Sequence, residues 1–472
     1  MKKPDVVMIV VDCLRAESLF GDRRSASAPA IDRLADRGAV CTSVITQQNL
    51  TAPCFASLLT GTYSSRHRLK CQLGFKLSDS VTSLAEIFRA NGYHTRAEVT
   101  GPLHSIYGLD RGFDTYHYRK TSEFFDRSFA DSLLGQLDER ADGAPNFLLL
   151  HLWDIHAPRK VEKSFDDLRY GADEYDRAIS SLDAHLGYFI EALGEERVVI
   201  LTGDHGEKLP ADGLEPGTAL PYFSDKLDLD AFSLWNHISP DFFFNVQLRT
   251  VHWMGQHSPK SMRDKFLQFY FATEKAMSDK RLSNRTKMYL RVNRNEGHGM
   301  HLYDYLCRVP LIMAGGDHFA GGVRQGRQVR QVDILPTIVE ALELETGEAN
   351  GHDGTSLGPL LRGEEYSEQP ALLEVFGTVV AEEIFSLAGV RTSEYKYIFS
   401  PGDPECPEEL YDLKADPMER SNIAPSMPDV REDMASLYGL CASQSASLEE
   451  TSMSVDEEAV LTEKLRALGY ID

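Results

Sequence analysis

Five side chains stand where three apolar runs of the chain stop: Asp12 after DVVMIVV (5–11), Asp154 and His156 after FLLLHLW (147–153), and Asp204 with His205 after RVVILTG (197–203). Carboxylates and an imidazole delivered together can hold one divalent cation. Taken singly, each aspartate reads more readily as a helix cap or turn former; recurrence at three run ends gives the pattern its weight. Thr51 opens a further stretch, NLTAPCFASLLTG (49–61). Pro53 suits the first turn of a helix and Thr51 its N-cap, which is the plain structural reading. A hydroxyl at a helix N-terminus beside a cation is also placed to ionise and attack an anionic ester, because the helix dipole and the metal both stabilise an alkoxide. The two readings are compatible. Cys54, one turn inside the same run, reads as a buried structural thiol.

Bringing those run ends together is the task of the elements around them. Continuous apolar runs of this kind suit strands buried on both faces. They alternate with amphipathic segments such as VTSLAEIFRANG (81–92) and DEYDRAISSLDAHLGYFIEALG (173–194), each closed by glycine. Alternation of this sort predicts an α/β sandwich of helices around a mixed, largely parallel sheet, and ligands of such sheets bind at the carboxyl ends of strands. After residue 203 the pattern breaks: residues 208–296 read as an insertion or cap, or as an ordinary helical subdomain, before the next buried strand VPLIMAG (309–315). From about residue 370, short alternating segments suit a small antiparallel sheet, and SASLEETSMSVDEEAV (445–460) reads as a solvated linker. The expected division is a catalytic domain over 1–365 and a small α+β subdomain with a tail over 366–472.

The 72 acidic and 49 basic residues leave a formal charge of -23, which repels nucleic acid and anionic membrane surfaces. A cation and a few basic side chains can still reverse the potential locally for a small anionic substrate. The apolar run at the N-terminus is too short for a signal-peptide core, and no window has the roughly 18 apolar residues of a membrane span. Seven cysteines, odd in number and without paired metal spacing, agree with a reducing compartment. The expectation is a cytoplasmic protein without nucleic-acid or membrane partners, compatible with a homo-oligomer.

The ordered blocks MIVVDCLRAESL, APAIDRLADRGAV, TAPCFASLLTGTYSSRH, YGLDRGFD, LHLWDIHAP, LTGDHGE, GHGMHLYDYLCRVPLIMAGG, QVDILPTIVEAL, DGTSLGPLLRG, ELYDLKADPMERSNIA and EKLRALGYID resemble the sulfatase family of the alkaline phosphatase superfamily. The resemblance implies a mixed sheet flanked by helices with a small C-terminal sheet subdomain. It places Asp12 at the first-strand metal ligand and Asp204 with His205 at the late ligand pair. Cys13 stands where many members have a second aspartate, so that ligand is missing. His156 resembles the histidine that contacts the ester oxygens, Asp154 a further ligand, and His298 a basic residue facing the leaving group. His104 falls, on a looser alignment, near a Lys-x-His pair, and His301 in the same block as His298 is a further candidate.

The departure is at the nucleophile. Sulfatases carry Cys or Ser in a C/S-x-P-x-R pattern and oxidise it to formylglycine; here the alignment puts Thr51 at that place and Phe55 at the arginine. Threonine has a β-methyl and cannot become that aldehyde. Thr51 instead resembles the unmodified threonine of nucleotide pyrophosphatase/phosphodiesterases, phosphoethanolamine transferases and lipoteichoic acid synthases. The expectation is therefore a metal-dependent hydrolase of a phosphodiester, phosphomonoester or phosphonate ester, with Thr51 as nucleophile and as a contact of the metal. Its rivals are a sulfuric ester hydrolase without formylglycine, a phospho-group transferase sharing the same residues, and a non-catalytic binding protein. Carboxylate and imidazole ligands favour Mn or Zn, the resemblance alone Ca or Mg, and a second metal using Asp154 with His156 or His298 stays open.

Overall fold

A computed structural model describes residues 3–22, 24–138, 143–209, 212, 298, 299, 301–316, 318, 319, 321–347, 351–377, 386–404, 406–444 and 452–468. The stretch 208–296, read as an insertion or cap, lies outside the described residues except for positions 208, 209 and 212.

The apolar runs become strands of one sheet: β1 (Val6–Val11), β2 (Gly38–Ile45), β3 (His94–Val99), β4 (Thr115–Tyr118), β5 (Asn146–Leu152), β6 (Val198–Gly203), β7 (Arg308–Ala314), β8 (Val323–Gln325) and β9 (Val329–Arg330). Their order is β4-β3-β5-β1-β6-β7-β2-β8, with β9 also on β2. All neighbours are parallel except β7, which runs antiparallel to β6 and β2. β1 sits at the centre between β5 and β6, and every one of its residues is buried.

Strand periodicity divides the core into two layers. Val6, Met8, Val10, Phe147, Leu149, Val198 and Ile200 pack on the face covered by the helices Thr51–Thr60, Leu84–Ala90 and Ile334–Ala341. Val7, Ile9, Val11, Leu148, Leu150, Leu152, Val199 and Leu201 pack on the other, under Pro29–Asp36, Arg127–Asp138 and Glu174–Leu193. Each fully buried leucine or valine contributes about 1.5–3 kcal/mol, so β1 alone is a large part of the folding drive.

The two helices expected from periodicity form with the ends their sequences encode. Ser83 caps Leu84–Ala90 in a reciprocal box with Glu86, and Asp173 caps Glu174–Leu193 by accepting from the Asp176 N–H. A second sheet, β10 (Ala371–Val375), β11 (Leu387–Arg391), β12 (Tyr395–Phe399) and β13 (Glu409–Asp412), is antiparallel throughout. The mixed sheet between helices and the small antiparallel sheet are the fold expected from the sequence.

The stretch 445–460 departs from the linker reading at Ser454, which caps the helix Val455–Ala467 with Glu457. Leu461 and Leu465 of that helix are buried with Met453 against the main core, which is why the segment is ordered from residue 452 on; 445–451 lie outside the described residues. No helix among the described residues is long and apolar enough to cross a membrane, and all seven cysteines are free thiols.

Candidate active site

The register of the central strands sets the carboxylates side by side. Val11 pairs with Leu152 on β5 and Gly203 on β6, so the residues that follow, Asp12 and Asp204, leave the sheet at one level. The Asp12 N–H continues the ladder to Leu152 O at 2.9 Å. By alternation Asp12 and Asp204 share parity with Val10 and Ile200, the face covered by the helix Thr51–Thr60. His151 has the parity of Leu149 and faces the same way: its Nε2 lies 3.2 Å from Asp12 Oδ2 and its Nδ1 3.2 Å from Thr100 O.

That helix delivers Thr51. The N-cap is Leu50, in extended conformation and without a side-chain cap, so Thr51 is the first helical residue. Its hydroxyl is thus not spent on capping, in contrast to the expectation from Pro53. Thr51 Oγ1 donates to Asp12 Oδ2 at 3.2 Å and lies 3.4 Å from His205 Nε2. All ten residues of the helix are buried, and Gly61 in left-handed conformation (φ 63°) ends it, with its N–H bonded to Ser57 O. Cys54 Sγ donates to Gln48 O at 3.1 Å; burial, then the Asp204 charge, pushes its thiol well above the ordinary value. Phe55 packs edge-on against His151 with ring centroids 5.0 Å apart.

The donors around Asp204 fit a cation. The His205 ring gives its Nδ1 proton to Gly206 O at 2.8 Å, which leaves the lone pair of Nε2 toward the cluster. That nitrogen lies 3.4 Å from Asp204 Oδ2, an oxygen that is buried and has no hydrogen-bond partner among the described residues. Two electron pairs facing each other without a proton between them are reconciled by a positive ion. Burial, then the Asp12 charge, raises Asp204 to about 6. Asp12 goes the other way: burial opposes its charge, but the hydrogen bond from His151, and the neighbouring imidazoles whenever they are protonated, hold it well below the usual carboxylate range.

A second group of side chains borders the first. Glu207 Oε1 is 3.3 Å from His298 Nδ1. Burial opposes both charges, yet the pair holds Glu207 down at about 2 and keeps His298 above its ordinary value. His156 stacks on Trp153, with centroids 3.7 Å apart, and gives its Nδ1 proton to Ala157 O at 2.7 Å. Burial, with His298 nearby, lowers His156 to about 4. Cys13 sits between the two groups. Its Sγ donates to Asp12 Oδ1 at 2.9 Å, and its N–H donates to Asp204 Oδ1 at 3.0 Å. Cys13 is held at φ 62°, a conformation that costs a residue with a β-carbon about 1 kcal/mol or more.

Residues 4–344 match the sulfatase family, and residues 298–438 match the C-terminal region of N-sulphoglucosamine sulphohydrolase. The chain belongs to the sulfatase family. Members of this family, within the alkaline phosphatase superfamily, are metal-dependent ester hydrolases acting on small anionic esters. A choline-sulfatase of Rhizobium meliloti is 24% identical over 467 residues, covering 89% of this chain and 82% of that protein. Arylsulfatase K of Gallus gallus is 30% identical over 147 residues, 29% of this chain and 26% of that protein. The crystal structure of a phosphonate monoester hydrolase of Agrobacterium radiobacter has the same fold, with TM-score 0.65 at 17% identity, covering 96% of this chain and 97% of that one.

In this sulfatase-family chain Asp12, Thr51, Asp204, His205, His156 and His298 come together, whereas three further candidates lie apart. Asp154 has the parity of Leu152 and turns to the opposite face, where Oδ1 accepts from the Phe125 N–H at 2.9 Å beside a cavity of about 580 Å³. His104 Nδ1 accepts from the Ile106 N–H and caps a single 3₁₀ turn, Ser105–Tyr107. His301 pairs with Glu409 at 3.2 Å and stacks on Tyr303. The sequence reading did not single out His151 or Glu207, and it took Cys13 as a lost ligand. His151 was within reach through the alternation of β5; Glu207 and Cys13 depend on turns that periodicity does not encode. Nor did it find Asn49, whose Oδ1 accepts from Gly299 N–H at 2.7 Å and whose Nδ2 donates to His301 O, or Gln331, which donates to Asp204 O at 2.9 Å.

Proposed function

We propose that the chain hydrolyses a phosphorus ester (a phosphodiester, phosphomonoester or phosphonate ester) with Thr51 as an unmodified nucleophile and Asp12, Asp204 and His205 as the ligands of one divalent cation. The observation that carries this reading is the Thr51 hydroxyl, buried at the helix start, bonded to Asp12 and 3.4 Å from His205 Nε2. A cation held there, of the Mn or Zn class by its carboxylate and imidazole donors, supplies positive charge that eases ionisation of that hydroxyl and offsets charge building on the ester.

The chain's own residues do the rest. Thr51 gives its proton to solvent; Oγ1 bonds to phosphorus as the bond to the leaving oxygen breaks. His298, kept protonated by Glu207, donates its proton to that leaving oxygen. His156 has its Nδ1 proton committed to Ala157 O, so it contacts a non-bridging oxygen through Nε2 only as imidazolium, a form that an anionic group beside it favours. Water then attacks the threonyl ester: as its oxygen bonds to phosphorus and the bond to Oγ1 breaks, one of its protons passes to Thr51, and His298 regains a proton from solvent. An acceptor hydroxyl in place of water makes the same residues a transferase.

A panel of aryl phosphodiester, phosphomonoester, phosphonate and sulfate substrates, each with Mn, Zn, Mg and Ca, tests this. Turnover of a phosphorus ester that Thr51→Ala abolishes is the expected result; undiminished turnover by Thr51→Ala overturns it. The likeness to a choline-sulfatase along 89% of the chain favours a second reading, sulfate ester hydrolysis without formylglycine. Turnover confined to sulfate esters would select it.

A further inference from the structure

We propose that Cys13 is a metal ligand, its thiolate joining Asp12, Asp204 and His205 in a mixed N/O/S set that selects a soft, zinc-class cation over calcium and magnesium. The inference rests on reading Asp12, Asp204 and His205 as the cation site and gives that site its chemical preference.

Ligand atoms of Asp12, Cys13 and His205 all lie within 4.8 Å of one another, and all three residues are buried. In a tetrahedral zinc site with bonds near 2.0–2.3 Å the ligands stand roughly 3.3–3.8 Å apart. Cys13 Sγ is 2.9 Å from Asp12 Oδ1, a hydrogen-bond distance that opens to such a spacing when an ion replaces the thiol proton. The backbone is built to aim that sulfur. Cys13 is held left-handed at φ 62°, its N–H on Asp204 Oδ1 and its carbonyl accepting from Tyr175 OH at 2.5 Å, while Tyr175 OH in turn accepts from the Arg15 N–H. A residue with a β-carbon seldom keeps this conformation unless its surroundings impose it. Cys13 Sγ also lies 3.8 Å from His298 Nδ1 and 3.5 Å from Glu207 Oε2, and ligand atoms of His156 and His298 form a second possible group with it; the group with Asp12 and His205 is the one in which all three residues are buried, and His298 is already paired with Glu207.

When the ion enters, the S–H proton passes to solvent and a metal–sulfur bond forms. Thiolate favours zinc, cobalt and cadmium, whereas calcium and magnesium take oxygen donors.

The test loads the metal-free full chain with cobalt(II) and records the near-ultraviolet spectrum, with zinc and calcium affinities measured by equilibrium dialysis. Wild type should show a thiolate-to-cobalt charge-transfer band that Cys54→Ser keeps and Cys13→Ser loses while cobalt still binds. Cys13→Asp should cut the ratio of zinc to calcium affinity by roughly 100-fold, the upper end of what loss of even an outer partner costs. Cobalt bound by wild type without that band overturns the proposal, independently of how any variant folds, and so does an unchanged zinc-to-calcium ratio in Cys13→Asp. Wild type that binds neither cobalt nor zinc would instead remove the cation site on which the proposal rests.

Discussion

Two buried groups of carboxylates in this chain are neutralised in opposite ways. Near the small sheet, Asp304 accepts from both Arg391 (2.7 and 2.9 Å) and Lys396 (2.5 Å), and Lys396 Nζ also meets Leu302 O at 2.9 Å and Glu419 Oε1 at 2.6 Å. Two cations, Arg391 and Lys396, thus face two carboxylates: Lys396 hydrogen-bonds Leu302 O and Asp304 and meets Glu419 Oε1 as an ion pair, and although burial raises Glu419 to about 7, Asp304 is held well below the usual range by Arg391 and Lys396. At the ends of β1 and β6, the partners of Asp12 and Asp204 are histidines, a threonine and Cys13; among the described residues no lysine or arginine is bonded to either, and one Asp204 oxygen is left without a hydrogen bond. The first group closes on protein charges and ties β11 and β12 to the helix Asp304–Cys307. The second is faced by imidazole, hydroxyl and thiol groups instead, the donor set of a candidate cation site. A buried carboxylate is therefore no sign of function by itself; an unmatched one is.

The strongest way to break that contrast is at Thr51. Thr51→Ala leaves Asp12, Asp204 and His205 in place, so the metal should stay bound while turnover of a chromogenic phosphodiester falls on the order of 10⁴-fold or more, about 5 kcal/mol of transition-state stabilisation. Steady-state rates and metal content of the purified variant check both halves. Loss of metal together with rate would mean that Thr51 serves the ion and not the bond-making step.

Next in size is Lys396→Met. Removing one partner of a buried ion group leaves Asp304 and Glu419 short of charge, and the expected loss of stability is about 3–5 kcal/mol. Denaturant unfolding measures it, with metal affinity unchanged as the contrasting readout. A loss under about 1 kcal/mol would mean that the small-sheet cluster is as unmatched as the one at Asp204.

How legible each cluster was in the sequence follows from what positions it. That Asp12, Asp204 and His205 come together was legible because strands buried on both faces write continuous apolar runs, and neighbouring parallel strands end at one level. Asp154 met the same rule yet faces away, because adjacent strand residues point to opposite sides and the rule does not say which. The short edge strands β8 and β9 carry too few residues to show a period. The Lys396 cluster joins residues 304, 391, 396 and 419, which no local pattern relates. Cys13 acquires its place only through a left-handed residue, which side-chain periodicity cannot announce.

Acidity offers a finer probe. Asp204 in the metal-free protein sits at about 6, above its ordinary 3.8. Between those values the folded state holds the proton more tightly than the unfolded one, so this residue's contribution to stability is present below about pH 4 and lost as pH rises through about 6. The full difference is about 3 kcal/mol. Asp204→Asn removes the titration, so in the presence of a chelator the variant should gain stability relative to wild type from pH 4 to 7. Saturating metal should reverse the order, since the ion requires the carboxylate. A pH-independent difference between the two proteins would mean that Asp204 is already neutralised by the chain, as Asp304 is.

The smallest effect belongs to Cys54, and it sharpens the contrast between a group bonded into the Asp12 cluster and one that only borders it. Its sulfur is one helical turn from the Thr51 hydroxyl, in the same fully buried helix, but its hydrogen bond goes to Gln48 O and its thiol is held protonated by burial. Cys54→Ala should therefore lose about 1 kcal/mol of packing and leave turnover unchanged, as read by thermal unfolding and steady-state rates. A loss of turnover comparable to that of Thr51→Ala would move the nucleophile from oxygen to sulfur. The cluster at Asp12 would then be answering to a different atom, and the orphaned oxygen of Asp204 would need another explanation.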